Sequence, residues 1–414
     1  MKFVVVVGGG IIGLSCAYYL RQGGCDVIVL DPDGGRVGAS YGNAGFIGAS
    51  HYIPLANPKS MRNALRWMLS PTSPFYIQPR LDDGLIRWGL LFLRHANTSH
   101  ADRMAKPLSQ IGLLSQRLFE EWQATFPKFS YEKDGLIDLY KTEEGLAGAF
   151  QEAKRARTLG IDAVELSKAD IAALEPNVEI QAVGGVHMRS DARTWPPGLM
   201  AALLEKLTSM GVPIFEERVT ALQQSGGRIT SAVCGANIYV ADSFVLAGGI
   251  WSRGLVKSLG IDIPMQAGRG YSLTYPLTQL PLRHSLYLNE VSVALTPMDG
   301  DKVRLGGTME IVPVGTPPRL GRVRGILTSA RKFLPKAQFP DPALEDAWFG
   351  YRPCSADGVP YIGRHRKFNN LIFATGHSML GLGLGPATGK LVSEIALDQP
   401  PSMDIAPFSP NRFS

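Results

Sequence analysis

Apolar residues at 3–7 form an unbroken run of strand length, a glycine-rich turn follows at 8–13, a helix runs on from it, and a second apolar strand at 27–30 closes on Asp31. Between about residues 60 and 126 the spacing becomes helical. Leu85, Trp88, Leu91 and Phe92 share one face there, and Leu113, Leu114, Leu118 and Trp122 another. From Tyr131 the pattern turns to short strands, notably 135–140 and 183–188. A helix over 196–209 leads into a strand at 212–215 and on into 218–222, and a meander through 229–233 and 238–240 ends in an apolar strand at 244–247 before Gly248 and Gly249. Short strands return over 264–349, including 271–275 and 303–308. A buried strand at 371–375 then enters a glycine turn and a helix from about Pro386 to residue 397. Residues 399–414 lose all periodicity and read as a loosely attached tail.

This order predicts an α/β fold of two domains: a discontinuous Rossmann-type dinucleotide domain built from residues 1–50, 195–260 and 350–414, and a mixed-sheet substrate domain built from 51–194 and 261–349 with inserted helices. A simple NAD dehydrogenase runs through its doubly wound sheet in one stretch, so the late return of the chain argues for a larger, embedded cofactor.

At 414 residues, with 45% apolar and 19% charged side chains, the chain has the composition of a large globular protein and is long enough for two cores. The best membrane-span candidate, 85–93, is short and carries Arg87. The net charge of +6 is spread out, without the aromatic-interleaved basic stripes of a nucleic-acid binder. The four cysteines, Cys16, Cys25, Cys234 and Cys354, form no CxxC pair, so neither a zinc site nor any other metal centre is expected and the thiols should be reduced. The start of the chain superficially suits an export signal, with Lys2 before an apolar run and Leu14-Ser15-Cys16-Ala17 after it, but the glycines within that run fit a nucleotide fold better. The expected location is cytoplasmic.

The glycines at 8, 10 and 13 have the spacing of a dinucleotide cradle. Gly8 allows the tight turn, Gly10 lets backbone approach a pyrophosphate, and Gly13 lets helix and strand pack closely, with Asp31 placed to take ribose hydroxyls. A second signal is the turn at 376–389, where Gly376, Gly381, Gly383 and Gly385 separate a buried strand from a helix, with Pro386 at its expected first position. A helix N-terminus bare of side chains stabilises negative charge such as a reduced flavin develops at N1–C2=O, so this turn suits an isoalloxazine better than a nicotinamide.

Taken with Ser40-Tyr41-Gly42-Asn43-Ala44-Gly45, Ala247-Gly248-Gly249-Ile250-Trp251-Ser252, Gly270-Tyr271-Ser272-Leu273 and the block from Tyr351-Arg352-Pro353 through Asp357-Gly358-Val359-Pro360 to Gly363, the chain resembles the FAD-dependent D-amino-acid oxidase superfamily over almost its full length, and most of all the bacterial D-amino-acid dehydrogenases. The resemblance implies an FAD whose pyrophosphate lies on Gly8, Gly10, Ile11, Ile12 and Gly13, with Asp31 at the ribose and Val219 by the adenine. It places the isoalloxazine between Asn43, Ala44 and Gly45 on one side and Gly376, His377, Gly381, Leu382 and Gly383 on the other, and counts Ala247, Gly248 and Trp251 among the residues that bind the cofactor. Many relatives carry Glu at the Asp31 position. Some hold flavin on a cysteine whose place is taken here by Gly350, so the FAD is expected to be noncovalent.

The resemblance further puts Arg352 beside the flavin, where its planar fork matches a substrate carboxylate; the competing assignment is an ion pair with Asp357. Tyr271 would add a hydrogen bond to that carboxylate or be core, and His51 and Tyr52 would line the pocket mouth or cap the surface. The implied reaction is oxidation of a small D-amino acid, of D-proline or D-hydroxyproline type, by hydride transfer from Cα to flavin N5, giving an imino acid and then a 2-oxo acid. The electron acceptor would be a quinone, an artificial dye or O2. The alternatives are a glycine or sarcosine-type oxidase, an FAD-dependent assembly or tRNA-modification protein, and, more weakly, an NAD dehydrogenase. Basic residues at 364–367 with Arg319, Arg322 and Arg324, together with Trp67, Leu85, Trp88 and Phe92, admit peripheral contact with the inner membrane face, though solvated charge and buried helix faces explain them more simply.

Overall fold

The structure, a computed structural model, describes residues 1–58 and 73–413; residues 60–72 of the expected helical region, Trp67 among them, lie outside the described residues. One sheet has six strands in the order Ile214–Glu216, Asp26–Asp31, Phe3–Val7, Ser243–Leu246, Phe368–Thr375 and Tyr361–His365, with only the last antiparallel to its neighbour. These strands come from three distant stretches of chain, and the central ones are apolar without alternation because both faces are covered. Val4, Val6, Val27 and Val29 pack under helices Ile11–Gln22, Pro196–Ser209 and Gly381–Ala396. Val5, Val7, Ile28 and Leu30 meet the side chains of the antiparallel meander Ala221–Ser225, Arg228–Cys234 and Asn237–Val240.

A second, nine-stranded sheet runs Ala347–Ser355, Met265–Pro276, Lys302–Ile311, Val293–Met298, Ser285–Leu288, Leu136–Tyr140, Gly184–Met188 and Ala163–Leu166, with Phe75–Ile77 pairing beside Lys302–Ile311. Side chains alternate across it. Tyr271, Leu273, Leu295 and Leu305 face helix Leu320–Phe333, and the opposite face carries Gly268, Gly270, Ser272, Gly306, Ala294, Tyr287 and Arg352, whose strand partners fix them on one side. Arg352 stands on this sheet and not on the six-stranded one. The boundary expected at residue 350 therefore falls inside a strand that pairs along its whole length with Met265–Pro276, and it moves beyond Ser355.

Helices Asp83–His95 and Thr98–Thr125 occupy the expected helical region, and Leu85, Trp88, Leu91 and Phe92 pack against Met309, Ile311 and Cys354. That face is core, as the simpler reading had it. Two helices depart from the expectation of strands: Leu320–Phe333, and Glu143–Thr158, which opens on the Thr142 cap with Glu143 and Glu144 in its first turn and closes on Arg155 and Arg157. The helix expected from Pro386 starts five residues earlier, at Gly381, with Pro386 inside it. Pro386 has no N–H to give the Leu382 carbonyl one turn back, and helix Ile11–Gln22 covers that segment so closely that side chains at Gly385 or Gly389 would run into Ile11 and Ser15.

The C-terminal residues are docked, contrary to the loose tail expected. Phe408 is fully buried, and Arg412 grips Asp357 through Nε–Oδ2 at 2.7 Å and Nη2–Oδ1 at 3.0 Å. Burial alone would raise the Asp357 pKa, but the Arg412 cation holds it below the usual carboxylate value. The pair's contribution is thus present at neutral pH and lost as pH falls through the depressed Asp357 value. Arg412→Met should lower the urea-unfolding free energy by about 3 kcal/mol at pH 7, and by less in acid once Asp357 is protonated. An equal loss at both pH values would show that packing, not charge, holds the tail.

Candidate active site

The N-termini of helices Ile11–Gln22 and Gly381–Ala396 come together because the helices pack at Gly385 and Gly389. Neither end has a side-chain cap. Ile11 N–H donates to Ser40 Oγ at 3.1 Å, which leaves the Ile12 and Gly13 amides free of partners among the described residues, and Gly381, Leu382 and Gly383 supply the unpaired amides of the second end. The glycines between strand Phe3–Val7 and the first helix are sterically enforced. At Gly8, with φ +109°, a Cβ would lie 2.6 Å from the Ala247 carbonyl oxygen, and at Gly13 it would drive into the Gly8 carbonyl. Gly10 faces open ground, its nearest neighbour being Ser40 Oγ at 3.6 Å. Two bare amide clusters beside a side-chain-free floor fit a dinucleotide carrying a second anionic group.

Asp31 organises the rim of this cradle. Its carboxylate accepts the Gly9 amide at 2.7 Å and the Asp33 and Gly35 amides at 3.0 Å, so any ribose contact shares an acid already holding two turns. Val219 lies buried three residues beyond strand Ile214–Glu216, at the same rim. Ala247 and Gly248 lie against Gly8, while Trp251 is half exposed.

Hydrogen bonds hold the loop from Ser40 to Gly45: Asn43 Oδ1 accepts from Gly45 N–H at 2.8 Å, Thr194 N–H donates to the Gly45 carbonyl at 2.9 Å, and Arg304 Nη1 donates to the Tyr41 and Asn43 carbonyls, each at 2.9 Å. Arg304, which lies 4.5 Å from the Trp195 ring, is a residue the sequence reading missed; its signal was a lone charge in the apolar run Val303-Arg304-Leu305. Ala44 meets Gly306 across the gap between loop and sheet. His377 is buried, its Nε2 3.0 Å from Thr388 Oγ1 and its backbone bridged to Cys354, so its ring buttresses the turn. Burial lowers its pKa to about 3.

Arg352 lies across Gly270, where any Cβ would collide with the guanidinium. Its Nη1 donates to the Thr308 carbonyl at 2.7 Å, and Thr308 reaches this position with φ +68°, a left-handed conformation costly for a β-branched residue and placed where the strand bulges. Among the described residues no carboxylate pairs with Arg352, since Asp357 is taken by Arg412. Burial lowers the Arg352 pKa, and Tyr287 is close enough to act on it electrostatically. Tyr287, missed in the sequence, shares this face, with the His51 ring 6.4 Å away and Phe46 6.0 Å beyond that ring. The indole of Trp348 covers both Gly42 and Gly350 and closes the recess beside Arg352.

Two expected contacts are corrected. Tyr271 points to the other face of the sheet, where its hydroxyl donates to Glu310 Oε2 at 2.9 Å within the buried Arg269–Glu310–Arg322 cluster; being one residue from Gly270 places it on the wrong side. Tyr52 is core, its hydroxyl bonded to the Glu152 carbonyl at 3.1 Å and carboxylate at 3.2 Å, for the same reason of alternation next to His51. Arg322 is likewise buried, not part of a basic surface loop.

A nucleotide cradle facing an unpaired guanidinium across a flat glycine floor is the site of a dinucleotide-dependent oxidoreductase. The family model described as FAD dependent oxidoreductase (DAO) matches residues 4–395, and the chain belongs to that family. It is 29% identical over 399 residues to a D-amino acid dehydrogenase of Helicobacter pylori, covering 96% of this chain and 95% of that one. It is 30% identical over 426 residues to a D-amino acid dehydrogenase of Rhizorhabdus wittichii, covering 99% and 100%. Among solved structures, glycine oxidase from Geobacillus kaustophilus matches with TM-score 0.78 at 23% identity over 100% and 99% of the two chains, and L-proline dehydrogenase from P. horikoshii with 0.77 at 17% over 100% and 97%. Both share the fold.

Gly13→Ala should yield protein lacking the 450 nm flavin band, whereas Gly148→Ala, at a helical position with nothing within 4 Å, should keep the band and gain up to about 1 kcal/mol in stability. A normal flavin content in Gly13→Ala would refute the cradle.

Proposed function

We propose that this enzyme oxidises a small D-amino acid to the imino acid, which water converts to the 2-oxo acid, with noncovalent FAD and without a side-chain base at Cα. The observation that carries this reading is the partly buried Arg352 guanidinium, unpaired with any described carboxylate and on the sheet face that meets the loop of Asn43, Ala44 and Gly45. Bound FAD supplies the acceptor for the Cα hydride. Arg352 binds the substrate carboxylate through its fork, and Tyr287 stands beside it to add a hydroxyl. The two bare helix ends hold the cofactor's negative charge. Phe46, His51, Tyr287 and Trp348 form a compact, largely aromatic wall that suits a small or cyclic side chain such as that of D-proline or D-hydroxyproline. The D configuration follows the full-length sequence relatives named above.

Arg352→Ala should keep its flavin band and raise KM for a D-amino acid roughly a hundredfold, the loss of about 3 kcal/mol expected of a charge-assisted pair. An unchanged KM removes the carboxylate role.

For the acceptor, a quinone met at an anionic membrane surface is favoured by the outer face of helix Asp83–His95. Ile86, Leu90 and Leu93 stand exposed there in one helical row. Exposed Arg94 follows them, and the Asn411–Arg366 and His95–Phe413 contacts bring the basic loop with Arg366 to the same helix end. Among the described residues no helix is long and apolar enough to cross a membrane. The protein should co-sediment with phosphatidylglycerol vesicles, and Leu90→Glu should abolish this while leaving dye-linked turnover intact; binding unaffected by Leu90→Glu would discount the surface.

A further inference from the structure

We propose that Asp191, Ser50 and His51 form a proton relay that takes a proton from the ammonium group of the bound amino acid, so that the amine is neutral when the Cα hydride leaves. The inference rests on the amino-acid reading above and extends it to residues outside the cofactor and carboxylate contacts. Asp191 is buried beneath the loop, and its carboxylate fills the space that a side chain at Gly48 would need. The Ser50 hydroxyl donates to Asp191 Oδ2. Ser50 has a single proton and it is committed there, so at 3.2 Å its oxygen accepts from His51 Nδ1–H. With Asp191 ionised, this sets the tautomer. The lone pair resides on His51 Nε2, which has no hydrogen-bond partner among the described residues and belongs to a ring held between Phe46 and Tyr287 on the Arg352 side of the pocket.

In the transfer an ammonium N–H bond breaks, the electron pair stays on the substrate nitrogen, and an Nε2–H bond forms. The imidazolium so created is joined to the Asp191 carboxylate through the Ser50 hydroxyl, and it returns the proton to solvent once product leaves. No redox change occurs at the relay. Burial holds the His51 pKa down, so the ring is neutral before transfer and takes the proton only because the Asp191 carboxylate, joined to it through Ser50, stabilises the imidazolium; burial in turn raises Asp191 to about 7, against the hydrogen bond it accepts from the Ser50 hydroxyl. The other ionisable groups facing the relay are Tyr287, with Asp138 and Arg352 acting on it, and Tyr131 towards Asp191. The Arg352 cation favours departure of a proton from an ammonium bound beside it.

The test is anaerobic stopped-flow reduction of the holoenzyme flavin by D-alanine and D-proline from pH 6 to 10, in the wild type and in His51→Gln, Ser50→Ala and Asp191→Asn. The wild type should show an acid limb near pH 7, where Asp191 protonates. Each variant should be about 100-fold slower at pH 7 and recover as pH rises through the substrate's own ammonium pKa, where free amine binds. Added imidazole should restore His51→Ala at pH 7. Because the buried Asp191 carboxylate packs against the loop at Gly48, Ser50→Ala and His51→Gln carry the test if Asp191→Asn fails to fold. Variants that track the wild type at every pH overturn the relay, and so does a loss of equal size at all pH values without imidazole rescue. If no amine reduces the wild-type flavin, the functional reading falls together with the relay, whereas an unchanged KM in Arg352→Ala would remove only the carboxylate clamp.

Discussion

A partly buried guanidinium, Arg352, with no carboxylate partner among the described residues is the constraint around which this molecule is arranged. An arginine so placed is costly unless something anionic comes to it, and the protein has gone to some length to keep nearby acids away. Asp357, five residues along the chain, is claimed by Arg412 from the docked C-terminus. Glu310 is claimed by Arg269 and Arg322 on the far side of the sheet. The Thr308 carbonyl accepts from the Arg352 fork, from a backbone bend that a β-branched residue does not adopt freely.

The two sheets divide the labour through alternation. Parallel strands with both faces buried bring the cradle, the Ala247 turn and the second bare helix end to one rim, while the nine-stranded sheet keeps its apolar face under helix Leu320–Phe333 and turns glycines outward. Gly270, Gly306 and Gly350 make a floor on which a guanidinium, an indole and the loop around Ala44 can all lie flat. A single methyl group at Gly270 would have to displace Arg352. Close approach, achieved by leaving side chains out, is thus the common device of the cofactor and substrate halves of the site.

Much of this was legible in the sequence where chemistry is local. The cradle glycines and the turn at 376–383 stand out through residue types that have few other uses at such spacings, whereas Arg352 was singled out only through the family resemblance. What failed was direction. Tyr271 and Tyr52 were each read from their neighbours, Gly270 and His51, but adjacent residues on an extended chain face opposite ways, and register cannot be known before the strands are paired. Tyr287 and Asp191 come from a strand and a loop far from any motif, and Trp348, although only three residues before Tyr351, takes its direction from strand pairing. The helix at Glu143–Thr158 was within reach, since a threonine cap, two acids at its start and arginines at its end are a readable signal. The docking of the tail was not: it uses the burial of Phe408 and an ion pair between residues 55 positions apart, which no periodicity reveals.

The central claim is that this pocket binds an amino acid by its carboxylate and oxidises it at Cα with a fixed handedness. The measurement that addresses it most directly is an anaerobic titration of the yellow holoenzyme with matched D and L enantiomers of alanine and proline, alongside glycine and sarcosine, following the flavin band near 450 nm. Rapid bleaching by the D enantiomers, with the L enantiomers inert, is the predicted result; no bleaching by any of these amines, or equal bleaching by both enantiomers, would contradict it.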